Sequence, residues 1–236
     1  MKKILSLLVA LMSYVSLPAQ NVKNGEPSAE DVLMLLRTMG YDLYTFDLTD
    51  FLKDDYEVSF SIKEYDKRGE IDPDCNTIWI AGPNKIRISQ LSAEERQQAK
   101  ELGLTKGMKR GVVHKIDKVN IAMLPTQQES AMKINAMFGG VGSYSEVLNL
   151  RPISKDDGSC KQYKYSTHPF LIDSFDDGKF IPLLALLSWW YDDEADAFRQ
   201  CGASKLKADL SDEILQNVPH YYVIGIILEK IESEKR

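Results

Sequence analysis

Apolar and polar residues alternate along this chain with two different periods, and the change of period divides it into elements. Near the start, Ala29, Val32, Leu33, Leu36 and Met39 recur at spacings of three and four, drawing one apolar stripe along a helix. Ser28 stands where an N-cap belongs, Glu30 and Asp31 sit in the first turn where the helix dipole favours negative charge, and Gly40 supplies a stop. The pattern predicts a helix over 29–39. From Tyr56 the period becomes two: Val58, Phe60 and Ile62 alternate with Ser59, Ser61 and Lys63, as in a strand with one wet face. Ile78 and Ile80 precede Gly82-Pro83-Asn84, and Ile86 and Ile88 follow it, which predicts a hairpin around that turn. Ser92 with Glu95 is a capping box, so 93–102 is expected as a short surface helix ended by Gly103.

The rest of the chain has mostly period two. Val119, Ile121 and Met123 alternate, as do Met132, Ile134, Ala136 and Phe138, and the polar stretch from Pro125 to Ser130 between them predicts a second hairpin. Gly139, Gly140 and Gly142 mark a loop, and Asp157-Gly158 and Asp177-Gly178 mark turns. Phe180 to Tyr191 is apolar on both faces, as a central strand would be, and Tyr221 to Ile231 is β-branched and aromatic. Between them, Ser211 to Asn217 suits a single helical turn stopped by Pro219. Short strands separated by turn residues, with few helical patterns between them, predict a mainly β (α+β) fold: an antiparallel β-sandwich with two or three short flanking helices.

One segment stands outside this pattern. Lys2 and Lys3 precede an apolar run from Ile4 to about Leu17, closed by Pro18, Ala19 and Gln20. Positive, then apolar, then small is the order of a secretory signal peptide, and the run is shorter than the roughly 20 residues of a bilayer span. Residues 1–20 are therefore expected to be a signal peptide, and 21–236 a single β-rich domain working in the periplasm or outside the cell. Losing Lys2 and Lys3 takes the formal net charge from -6 to -8. An acidic chain has no electrostatic attraction to phosphate backbones, so nucleic acid is not an expected partner. After the leader no apolar run is long enough to span a bilayer.

Composition and motifs narrow the chemistry further. Cys75, Cys160 and Cys201 are three, which permits one disulfide at most and leaves at least one thiol, and none follows the apolar run to take a lipid. The common nucleophile, zinc-protease, P-loop and dinucleotide motifs are absent. Asp72, Asp74 and Asn76 open like a calcium loop, but Thr77 and Pro83 stand where its glycine and glutamate belong. His114, His168 and His220 lie at no metal-ligand spacing. No catalytic residue, metal site or cofactor is assigned. The densest cluster is Trp189-Trp190-Tyr191-Asp192-Asp193-Glu194, where aromatic faces could stack on sugar rings and carboxylates could accept hydrogen bonds from hydroxyls. On a strand, Trp189 and Tyr191 would face one way, and Trp190 and Asp192 the other. His220 and Tyr222 belong to a second aromatic cluster. The candidate binding residues are thus Trp189, Trp190, Tyr191, Asp192, Glu194, His220 and Tyr222. Asp173, Asp176, Asp192 and Glu194, flanking the apolar strand, are the candidates for a glycosidase-like carboxylate pair.

Three stretches also carry a resemblance. The leader ending Leu17-Pro18-Ala19-Gln20, the segment SWWYDDEADAFRQCG from Ser188 to Gly202, and PHYYVIG from Pro219 to Gly225 resemble exported proteins of the Bacteroidetes, in a family whose function is undescribed. The resemblance implies export and a mostly β domain, and carries no functional residue. The expected function is an exported binding domain for a glycan or an envelope protein. The alternatives are an extracellular polysaccharide hydrolase using a carboxylate pair, or a structural envelope component.

Overall fold

The computed structural model describes residues 25–73, 77–101, 111–140, 142–155, 158–159 and 161–231. The leader, Asp74 to Asn76, Gly103, Asp157 and Cys160 lie outside the described residues, as does the side chain of His114. The chain divides into two units, one through Leu36 and one from Arg37 onward.

The first helix, α1, runs Ala29–Thr38. The Ser28 hydroxyl accepts the Asp31 N–H at 3.2 Å while the Asp31 carboxylate accepts the Ser28 N–H at 2.7 Å, a reciprocal cap that ties down two of the donors a helix start leaves free. Gly40, at φ +83°, ends it as expected.

The second unit is mainly β and packs two sheets in a sandwich-like arrangement. One sheet has the order β1 (Asp42–Asp47), β7 (Lys118–Pro125), β8 (Ala131–Phe138), β9 (Gly142–Asn149). The other has the order β14 (Leu206–Lys207), β10 (Tyr165–Leu171), β11 (Phe180–Ser188), β15 (His220–Lys230), β2 (Tyr56–Asp66), with β3 (Gly69–Ile71) and β4 (Thr77–Pro83) pairing opposite ends of β2. All these pairings are antiparallel except β10 with β14. Alternation decides what lies between the sheets. Val119, Ile121, Met123, Ile134, Ala136 and Phe138 face Val58, Phe60, Ile62, Leu186, Ile224 and Ile226 in one core. Tyr44 donates to the Thr167 hydroxyl at 2.6 Å, and Thr167 donates to Asp42 at 2.9 Å, linking the two sheets by hydrogen bonds.

The larger sheet is covered on its other face as well. Ala185 and Leu187 of β11 and Tyr221 and Val223 of β15 join Cys201, Leu206, Leu215 and Val218 in a second core. That double burial explains the unbroken apolar run from Phe180, and why Ser61, expected on a wet face, is buried. Gly225 lies opposite Pro182, beside the bulge in β11. A methyl group there would meet the Ile181 carbonyl oxygen at 2.2 Å, so only glycine fits.

The hairpin expected around Gly82-Pro83-Asn84 does not form. Ile78 and Ile80 lie on β4, which pairs with β2, whereas β5 (Lys85–Arg87) pairs with β6 (Val112–Lys115). The cause is Asn84. Its amide nitrogen donates to the Phe51 and Asp54 carbonyls at 3.0 and 3.1 Å, and its side-chain oxygen accepts the Tyr56 N–H at 3.1 Å. These bonds hold the chain against the start of β2, so it crosses there instead of folding back. Trp79 and Ala81 turn inward to the core, and Ile78 and Ile80 face outward. The second helix, α2, runs Ala93–Glu101 with the Ser92–Glu95 capping box formed and Ala99 buried.

Candidate functional site

At Ser188 the central strand β11 ends, and the chain continues into a small hairpin, β12 (Trp190–Asp192) with β13 (Ala197–Arg199). This is the aromatic and acidic cluster singled out from the sequence. Trp190, Tyr191, Asp192, Glu194, Arg199 and Asn217 line one open cavity of about 750 Å³. Trp190 is half-buried, with one part packed on the second core and the remainder facing the cavity.

The polar groups of the hairpin are preorganised. Asp192 accepts the Ala195 N–H at 3.1 Å and is paired with the Arg199 guanidinium. The Ala195 N–H and then Arg199 hold its carboxyl below the usual carboxylate range, so it is ionised at neutral pH. Tyr191 bonds to Asp196, packs edge-on against Phe198 at 5.3 Å, and carries the Lys155 ammonium over its ring at 5.0 Å. One face of Tyr191 is therefore occupied, and Trp190 is the second aromatic lining the cleft. Glu194 is exposed at the turn. Arg199, Gln200 and Asn217 add donors to the lining.

Trp189 does not join them. It stands between β11 and β12 and lines a separate cavity on the other side. His220 and Tyr222 are also elsewhere. Both are buried at the start of β15, so neither offers a surface to a ligand. Instead His220 forms the middle of a hydrogen-bonded chain: Tyr165 donates to its Nδ1 at 2.6 Å, and its Nε2–H donates to Glu64 at 2.8 Å. Glu64, an acceptor only, also takes the Arg151 guanidinium at 2.8 Å, and the Arg151 backbone N–H donates to the Tyr165 hydroxyl at 3.0 Å. Burial pushes the His220 pKa down and keeps the ring neutral, which fixes this tautomer. Burial also raises Tyr165 to about 12, so it remains a phenol. Glu64, Arg151 and Tyr165 were not singled out in the sequence. They come from three distant stretches with no common spacing.

The candidate carboxylate pair does not assemble across β11. Asp173 and Asp176 lie before the strand, Asp192 and Glu194 after it, and nine extended residues separate the groups by about 27 Å. A glycosidase pair needs roughly 5 to 9.5 Å. Among the described residues, every carboxylate with a displaced pKa is displaced downward, the opposite of a general acid. His168 is buried, donating from Nδ1 to the Ala203 carbonyl at 2.9 Å and accepting the Ser166 hydroxyl at Nε2 at 2.9 Å. No three His, Cys, Asp or Glu side chains among the described residues are grouped to hold a metal ion. No described helix is long and apolar enough to cross a membrane.

A family model described as a domain of unknown function, DUF5041, matches residues 12–230. The chain belongs to this family. The match takes in the whole β-sandwich, including the DUF5041 positions that build the Trp190 cleft and the His220 chain. No curated protein matches the chain, and no solved structure matches it.

Proposed function

We propose that the chain is an exported binding domain that takes a glycan in the cleft lined by Trp190, Asp192 and Glu194. The observation that carries this reading is the convergence of a half-exposed indole with acceptors and donors around one open cavity of about 750 Å³. Small-ligand sites commonly have volumes of about 300–1,000 Å³ and combine apolar walls with a few placed polar groups. An indole face suits the C–H face of a sugar ring. Asp192 and Glu194 accept hydroxyl protons, and Arg199 and Asn217 donate to ring and hydroxyl oxygens. Export rests on the leader read from residues 1–20. Asp192, held below the usual carboxylate range by the Ala195 N–H and Arg199, is ionised and suited to accept a hydroxyl proton.

A glycan array probed with the purified chain tests this. Binding to a defined oligosaccharide that weakens about tenfold in Trp190→Phe or Glu194→Gln is the expected result, since each change removes aromatic surface or a charge-assisted hydrogen bond. Binding to no glycan, or binding indifferent to both changes, overturns it. A second reading has one observation behind it. Ile78 and Ile80 are 57 and 60 % exposed on the same face of β4, whose described pairing is with β2 alone, as a strand edge that receives a protein would be.

A further inference from the structure

The first helix, α1, carries an inference independent of the Trp190 cleft. Val32, Leu33, Leu35 and Leu36 on it, and Met39 just past its end, are between 39 and 59 % exposed, and no residue of the helix is buried. A helix of ten residues is marginal in water on its own, and most helical stability in proteins comes from packing an apolar face. Among the described residues, α1 has the face without the packing.

The charges beside that face define what fits it. Ala29, Val32, Leu33 and Leu36 form one stripe at spacings of three and four. Asp31 is engaged by the cap, where its carboxylate accepts both the Ser28 N–H and the Ser28 hydroxyl at 2.7 Å. Glu30 in the first turn and Arg37 in the last are exposed, and neither has an ion-pair partner among the described residues. Seven residues apart, they stand on one flank of the stripe, within about 20° of each other around the helix. An antiparallel helix of the same sequence, related by a two-fold axis, turns that same flank towards it with the ends reversed. Glu30 of each copy then lies beside Arg37 of the other, and each N-terminus meets the other's C-terminus. A parallel neighbour sets the flank against the side bearing Asp31 and Leu35 and makes no such pair. A lipid surface fits less well: interfacial helices carry Lys and Arg on the polar face and Trp or Phe on the apolar one, whereas α1 has two acids, one Arg and no aromatic residue.

We infer that α1 is a homodimer surface: it pairs antiparallel with α1 of a second copy, burying Val32, Leu33 and Leu36 and matching Glu30 with Arg37 across a two-fold axis. A ten-residue helix is about 15 Å long, too short to supply the roughly 800 Å² that a standard interface takes from each partner. The association is therefore weak and concentration-dependent, in the micromolar range.

Sedimentation velocity tests this on the purified chain, over a concentration series reaching several hundred micromolar and at low salt, where exposed charges are least screened. The expected result is a monomer–dimer equilibrium that Leu33→Glu weakens by about tenfold or more, since it puts a charge into the apolar seam. Glu30→Lys and Arg37→Glu each set like charges at both contacts and weaken it about tenfold. Mixed in equal amounts, the two variants restore the dimer, because each contact again joins opposite charges. Mixing does not repair a helix that either change has merely destabilised, so the mixture isolates the pairing. A chain that stays monomeric at every concentration overturns the inference, as does a dimer unaffected by Leu33→Glu or a mixture no better than its parts. Binding to phosphatidylethanolamine–phosphatidylglycerol vesicles that Leu33→Glu abolishes, with no dimer in solution, assigns α1 to a lipid surface and overturns it too.

Discussion

Replacing Gly225 with alanine probes the closest approach in the larger sheet, between the two strands that carry the chain into both tryptophan cavities and out through His220. The new Cβ would stand 2.2 Å from the Ile181 carbonyl oxygen and 2.6 and 2.8 Å from atoms of the Phe180 ring. The ring can rotate away. The carbonyl cannot, because it belongs to backbone beside the bulge at Pro182 and is flanked by a core packed on both faces. Relief requires β11 to move about 1 Å or more from β15, opening packing shared by both cores. Overpacking of a well-filled interior costs about 1–3 kcal/mol, and a backbone clash in a central strand belongs at the upper end, about 3 kcal/mol. Urea unfolding followed by tryptophan fluorescence measures it as a fall in midpoint with unchanged slope. A loss below about 1 kcal/mol would show that the strands yield easily and that the spacing is not set by Gly225.

Two further outcomes follow from single residues. His220 has a folded pKa held below its ordinary 6.5 by burial, so its contribution is fully present above about pH 6.5 and is lost as the pH falls below that value, where the unfolded chain binds the proton more readily. Melting temperature measured from pH 7.5 downward should therefore decline from about 6.5, and His220→Gln should flatten that part of the curve; an unchanged slope contradicts the buried neutral ring. Asn84→Ala removes three hydrogen bonds and strands the Tyr56 N–H and two carbonyls, for a loss of about 3 kcal/mol in the same urea assay. A loss near zero would mean that Asn84 does not hold the crossing between β4 and β5.

Among the strands that formed where expected are two whose apolar residues alternate against a single core. Val119 to Met123 and Met132 to Phe138 pair as the expected hairpin, since one face of each is buried and a slip by one residue would expose it. Alternation misled at Ile78 and Ile80, where the outward positions are apolar and the inward ones are Trp79 and Ala81. The partner of that strand was decided by one buried Asn84 side chain, a choice that periodicity does not encode. The Trp190 cleft was legible because its residues are consecutive on a hairpin. Alternation expected Trp189 with Tyr191 and Trp190 with Asp192; Trp189 does part from Trp190, but it lies just outside β12, and Tyr191 lines the Trp190 cavity instead. The His220 chain was not legible. Glu64 and His220 are 156 residues apart and Tyr165 and His220 are 55 apart, and they meet because β10, β11, β15 and β2 lie in one sheet.

A sugar seated in the Trp190 cleft would be visible directly. The most direct measurement is a crystal structure of the chain with an oligosaccharide selected from the array. The expected result is a sugar ring against the Trp190 indole with a hydroxyl bonded to Asp192 or Glu194. An oligosaccharide seated elsewhere, with the cleft between β12 and Asn217 holding only solvent, would contradict it.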